Sequence, residues 1–178
     1  MQLILVMRNL LLVLLLIAST NTQARGVYQH PDAFLDEVFA GQTPKPKFIW
    51  FTGETRKTAT TILQHKPVSL RSRYWKQDKR SVWILEEIGK EKPITVGFVI
   101  NNNKIEKVKV LIFRESRGWE IKRSDFTRQF NNARLDKKQN LTQTIDGISG
   151  ATLSVKAVTR LSRLSLYLHS LVSKSDGK

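Results

Sequence analysis

Leu153, Ala157, Leu161, Leu164, Leu168 and Leu171 recur three or four residues apart in "LSVKAVTRLSRLSLYLHSLV". That spacing keeps one side of a helix apolar and predicts a long amphipathic helix from Leu153 onward. Arg160, Arg163 and His169 interrupt the run, so this helix is expected to pack on a sheet and not to cross a membrane. Near the other end, "HPDAFLDEVFAG" places Phe34, Leu35, Val38 and Phe39 on one helical face and closes with Gly41. "QTPKPK" reads as a loop. "FIWF", 48 to 51, predicts a short buried strand, with Thr52 capping a helix from about Glu54 to Leu63.

Further along, "SVWILEEIG" (81 to 89) and "PITVGFVI" (93 to 100) predict strands, and "NNN" before Lys104 predicts a tight turn, since Asn tolerates left-handed backbone. "IEKVKVLIF" alternates, with Val108, Val110 and Ile112 on one side and Lys107, Lys109 and Leu111 on the other. An antiparallel hairpin with one wetter face follows. "SDFTRQF" predicts a short capped helix bearing Phe126 and Phe130, and "NNARLDKKQNLTQ" a polar, mobile connection. The predicted class is α+β, an antiparallel β-sheet packed against helices, with no internal repeat.

At 178 residues, 40% apolar, the chain is expected to form one compact unit. The first residues stand apart from it. "LLLVLLLIA" (10 to 18) followed by "STNTQA" reads as an export signal cut after Ala24. Met7, followed by Arg8, offers a second start. The competing reading is an uncleaved inner-membrane anchor over residues 3–18. The expected division is thus 1–24 as signal, 25–93 as the first part of the compact unit, 94–172 as its second part and 173–178 as a polar tail.

The formal net charge is +15, and removal of residues 1–24 takes away only Arg8. Such charge suits an anionic membrane surface or an acidic partner, or simply solvates exposed faces. Export argues against nucleic acid. No cysteine is present, which excludes disulfides, thiol chemistry and cysteine-ligated centres. His30, His65 and His169 have no metal-ligand spacing, and no metal site is assigned.

The stretch richest in chemistry is "TIDGISGATLSV", 144 to 155. Asp146, Gly147, Ser149 and Gly150 predict a tight turn that feeds the long helix, with Thr152 in its first turn. There the backbone N–H groups lack partners and the helix dipole is positive, a natural seat for a phosphate. Gly150 and Ala151 limit side-chain bulk, Ser149 is a candidate cap, and Asp146 is positioned to hold the turn through its own backbone. A plain capped turn fits the same residues.

At "DGISGATLS", Asp146 to Ser154, the chain resembles the FMN-binding domain of the periplasmic FMN-bearing subunits of the sodium-translocating NADH:quinone oxidoreductase and the related Rnf complex, also found in stand-alone exported proteins. "RESRGWEI", 114 to 121, is similar to that family's Glu-Thr-Pro-Gly loop, with Ser116 and Arg117 in place of Thr and Pro. The likeness spans about Ile94 to Leu168, with hairpin, Glu loop, "FTRQF" and final helix in the family's order. It implies FMN esterified through its phosphate to Thr152 by a separate flavin transferase that uses FAD and magnesium. It further places Glu115, Ser116, Gly118 and Trp119 near the ring, and Asp146, Ser149, Gly150, Ala151 and Leu153 about the attachment turn.

The function so implied is a periplasmic flavoprotein electron carrier between a membrane donor and an exported acceptor, open to peripheral membrane association. Two alternatives stand beside it. A reductase of a ferric complex or small organic acceptor would show steady-state turnover, and a non-flavin basic binding module would purify colourless.

Overall fold

In a computed structural model that describes residues 26–175, five strands pair antiparallel in chain order. They are β1 Lys47–Trp50, β2 Arg71–Gln77, β3 Arg80–Ile88, β4 Pro93–Asn101 and β5 Lys104–Phe113. Helix α1 (Pro31–Phe39) precedes the sheet, α2 (Gly53–Leu63) joins β1 to β2, α3 (Ser124–Thr127) follows β5, and α4 (Thr152–Ser175) closes the chain. The expected α+β class and long C-terminal helix are both present. The expected signal or anchor lies outside the described residues, as do residues 176–178 of the expected tail. Helix α4 runs on to Ser175, past the expected boundary at 172.

Each face of the sheet buries a different set of side chains, because strand side chains alternate. One face packs Trp83, Val96, Phe98 and Val110 against Ala59 and Ile62 of α2 and Ala157, Leu161 and Leu168 of α4. The other packs Trp75, Val82, Val99 and Leu111 against Phe34, Leu35 and Phe39 of α1. Gly97 leaves room for Phe34: a Cβ there would lie 2.4 Å from the ring. The wetter face expected for the hairpin is thus largely covered, and Glu37 of α1 pairs with Lys107 and Lys109 across it.

Three expectations need correction, and one strand was not foreseen. Ile112 does not share a face with Val108 and Val110, because a register shift between Thr95 and Val96 inserts a bulge that turns Leu111 and Ile112 toward α1. "FIWF" is not a buried strand: β1 pairs only with β2, so Phe48 and Trp50 are exposed and only Phe51, past its end, is buried. Strand β2 has no sequence counterpart above, since Arg71 and Arg73 obscure the alternation that buries Ser72 and Tyr74. The connection "NNARLDKKQNLTQ" is tied down. Ile105 N–H donates to the Ala133 carbonyl at 3.0 Å and Asn132 N–H to the Ile105 carbonyl at 2.8 Å, while Leu135 bridges Leu141. The turn at Asn102 and Asn103 is as expected, with φ of 51° and 60°.

A buried polar chain fastens α4 to β3. Trp83 Nε1 donates to Ser81 Oγ at 2.8 Å, and Ser81 Oγ lies 2.7 Å from His169 Nδ1. If Ser81 gives its proton to Nδ1, the remaining imidazole N–H faces Ser173 Oγ at 3.2 Å, so every member is satisfied with the ring neutral. Burial, reinforced by the charge of Lys76, pushes His169 down to about 4. The unfolded chain takes up this proton near pH 6.5, roughly the free histidine value, so the unfolded state binds more protons below it. Stability from His169 is therefore complete above that pH and is lost as pH falls toward 4. Titration of the His169 ring followed by NMR is expected to show a midpoint near the lower value; a midpoint close to 6.5 would contradict the buried neutral ring. Gly97→Ala is expected to destabilise the fold by about 1–3 kcal/mol, the usual cost of overpacking. Denaturant unfolding checks this, and Phe34→Leu in the same chain should recover part of the loss.

Candidate functional site

The turn before α4 is built by its neighbours more than by its own polar side chains. Asp146 N–H donates to Gln129 Oε1 at 2.7 Å, so the chain leaving the α3 region anchors the turn and Asp146 does not hold it alone. Ala151 N–H then donates to the Ile148 carbonyl at 3.0 Å, with Gly150 at φ 78°. That left-handed backbone favours glycine. No atom lies within 4 Å of where a Gly150 Cβ would sit, so the space beside the turn is open.

Val155 N–H donates to the Ala151 carbonyl at 2.9 Å, which makes Ala151 the residue that opens the helix. Ser149, expected as a cap, lies two residues too early and makes no capping bond among the described residues. The cap position is filled by a side chain with no polar group. In consequence the N–H groups of Thr152, Leu153 and Ser154 have no acceptor among the described residues. The Thr152 side chain is exposed, and its hydroxyl makes no hydrogen bond there either. Leu153, expected on the buried stripe, points outward at 47% exposure.

The Glu115 loop meets this turn. Gly118, at φ 85°, packs so closely on the helix start that a Cβ would be 3.0 Å from Ser154 Oγ and 3.3 Å from the Ala151 methyl. The small size of Ala151 thus serves contact with Gly118. Ser154, buried here, belongs to the site although only its place in the motif pointed to it. Gly118 begins a helical turn, Trp119–Lys122. Trp119 is half-exposed and no core tryptophan, with Lys122 Nζ 5.3 Å from its ring and 4.0 Å from that of Tyr28. Ser116 is exposed beside them.

Glu115 has a different task from the one its position suggested. Its Oε1 accepts the backbone N–H groups of Lys90, Glu91 and Lys92 at 2.6, 2.7 and 2.9 Å, closing the turn between β3 and β4. Burial alone would raise this carboxyl, but the three N–H donors outweigh it and hold it below the ordinary carboxylate range. Neither Arg114 nor Arg117 forms an ion pair with it. Arg114 instead reaches Glu86 at 3.5 Å and the Pro93 carbonyl at 3.1 Å.

The structure therefore brings together Gly118, Ala151, Ser154 and Thr152, with Trp119 flanking, and holds Glu115 one layer back against the β3–β4 turn. Among the described residues an unengaged hydroxyl, three N–H groups without acceptors and the open space beside Gly150 suit an anionic phosphate ester, and Trp119, exposed, follows Gly118 in the chain. Gln129, Tyr28 and Lys122 escaped sequence reasoning because their roles arise from contacts between distant segments. Among the described residues no group of three or more His, Asp or Glu could hold a metal ion, and no helix is long and apolar enough to cross a membrane.

No curated protein matches the sequence. The fold is similar to the crystal structure of NqrC from Shewanella oneidensis, at 16% sequence identity and a TM-score of 0.53, over 73% of this chain and 81% of that one. The family model of the FMN-binding domain matches residues 89–166, a segment that contains β4, β5, the Glu115 loop and Thr152. Residues 89–166 are thus similar to the FMN-binding domain family.

Proposed function

We propose that the chain is an exported, periplasmic electron carrier whose FMN is esterified through its phosphate to the Thr152 oxygen. The observation that carries this reading is the Thr152 hydroxyl. It is exposed and unengaged at the start of a 24-residue helix, in a segment matched to the FMN-binding family. Attachment by a flavin transferase would form an O–P bond at Thr152, break the pyrophosphate bond of FAD, release AMP as the leaving group and remove the hydroxyl proton. The N–H groups of Leu153 and Ser154 would then face the phosphate oxygens, and the helix dipole would offset their charge. FMN supplies one- or two-electron chemistry when bound.

The protein's own residues hold and border it. Gly118 lets the Glu115 loop lie against the helix start, and Ser116 and Trp119 would line the ring's side of the site. Glu115 fixes the loop end through its three N–H partners. A tether suits export, because a flavin lost outside the cytoplasm is not readily replaced. An electron donor in the membrane and an exported acceptor complete the proposed path.

Thr152→Ala is expected to abolish covalent flavin, read as in-gel flavin fluorescence after denaturation, while the fold persists. An exposed first-turn change of this kind costs about 1 kcal/mol or less. Covalent flavin retained in the variant would overturn the assignment. Glu115→Ala is expected to speed hydrogen exchange at Lys90, Glu91 and Lys92 and to shift the spectrum of the bound flavin. Faster exchange with an unchanged spectrum would leave Glu115 a support of the turn alone.

A further inference from the structure

We propose that the β1–β2 edge of the sheet is a docking face for an anionic phospholipid bilayer, independently of the flavin reading. Cross-strand pairing sets Trp50 opposite Arg71 and Phe48 opposite Arg73, so these four side chains share one face. The Arg71 guanidinium sits 4.3 Å from the Phe48 ring and 5.3 Å from the Trp50 ring, and Arg73 sits 5.9 Å from Phe48. Neither arginine forms an ion pair among the described residues. Just before β2 the loop projects Val68 and Leu70, 95% and 64% exposed. Between loop and strands lies a depression of about 470 Å³ lined by Phe48, Trp50, Ser69, Leu70, Arg71 and Arg73.

Single exposed apolar residues are ordinary on a protein surface, but four large ones gathered around two guanidinium groups without an ion pair are not. Phe48, Trp50, Val68 and Leu70 offer apolar bodies of the size that enters the headgroup and upper acyl region. Arg71 and Arg73 keep cations at headgroup depth, and indole rings favour that boundary. Residues 42–73 carry seven Lys or Arg against one acid, Glu54, so the whole edge is complementary to anionic lipid. The same charge opposes a second copy of this chain on the face. An acidic protein would satisfy the arginines, yet it would leave the almost fully exposed Val68 loop tip without the fluid apolar phase it fits.

Docking here has a consequence for the rest of the molecule. The antiparallel order places the end of β1, the start of β2 and the end of β5 at one end of the sheet. From the end of β5 the chain enters the loop that carries Gly118 to Ala151. A bilayer held at Trp50 and Leu70 would therefore lie at the end of the sheet that bears Thr152.

The test uses the full chain with vesicles of phosphatidylcholine brominated in the acyl chains, with and without phosphatidylglycerol. Because residues 3–18 could hold the chain to any vesicle, the readout is quenching of Trp50 itself, taken as the difference between wild type and Trp50→Phe. That difference removes Trp75, Trp83 and Trp119. Quenching of Trp50 is expected on phosphatidylglycerol vesicles and is expected to fall to the neutral-vesicle level at high salt or in Arg71→Gln/Arg73→Gln. Val68→Ser/Leu70→Ser should lower it as well. All five positions are exposed, and circular dichroism confirms each variant's fold. Equal quenching of wild type and Trp50→Phe, no dependence on phosphatidylglycerol, or full quenching in the arginine variant would each overturn the proposal. Protection of Trp50 by an acidic protein and not by lipid would do so too.

Discussion

Thr152 is where it is because α4 must bury one side along the sheet. Ala157, Leu161, Leu164 and Leu168 lie against the face of Trp83 and Phe98, and the Ser81–His169 pair locks their depth. With the helix body so fixed, its first turn is delivered to the end of the sheet where β5 exits. Gly118 then closes the remaining gap against Ala151 and Ser154. The unpaired N–H groups result from placement: Ala151 opens the helix and has no polar side chain with which to cap it. A serine or aspartate at that position would compete with any phosphate for those same donors.

Much of this was legible in the sequence where pattern is local. The 3.6-residue stripe announced α4, the apolar stretches 81 to 89 and 93 to 100 announced β3 and β4, the alternation announced β5, and "NNN" announced the turn between β4 and β5. The face assignment of Ile112 failed because a bulge is set by pairing between strands, which no single strand reveals. The burial of "FIWF" failed because a short apolar run reads alike at the centre and at the edge of a sheet, and only strand order separates the two. Strand β2 was hidden by arginines whose guanidinium heads lie over aromatic rings.

The site divides along the same line. The turn from Asp146 to Thr152 is a contiguous motif and could be read directly, whereas Gln129 reaches it from another segment. The resemblance placed Glu115 near the ring, but three backbone N–H groups claim its Oε1. A carboxylate so engaged shapes the site through the loop it fixes. Exposed Trp119 shows the converse, an aromatic residue whose type suggests a core position but whose place beside Lys122 leaves it available to a partner.

The central claim concerns one oxygen atom among several hydroxyls close in sequence. Trypsin releases residues 139–156 as one peptide carrying Thr142, Thr144, Ser149, Thr152 and Ser154. Fragmentation mass spectrometry of that peptide, from protein made in cells that also make the flavin transferase, locates any added FMN. The account predicts the whole added mass on Thr152, whose hydroxyl is exposed, unengaged and set at the unpaired N–H groups. The added mass on another hydroxyl, or an unmodified peptide from cells whose transferase modifies a control protein, would contradict it.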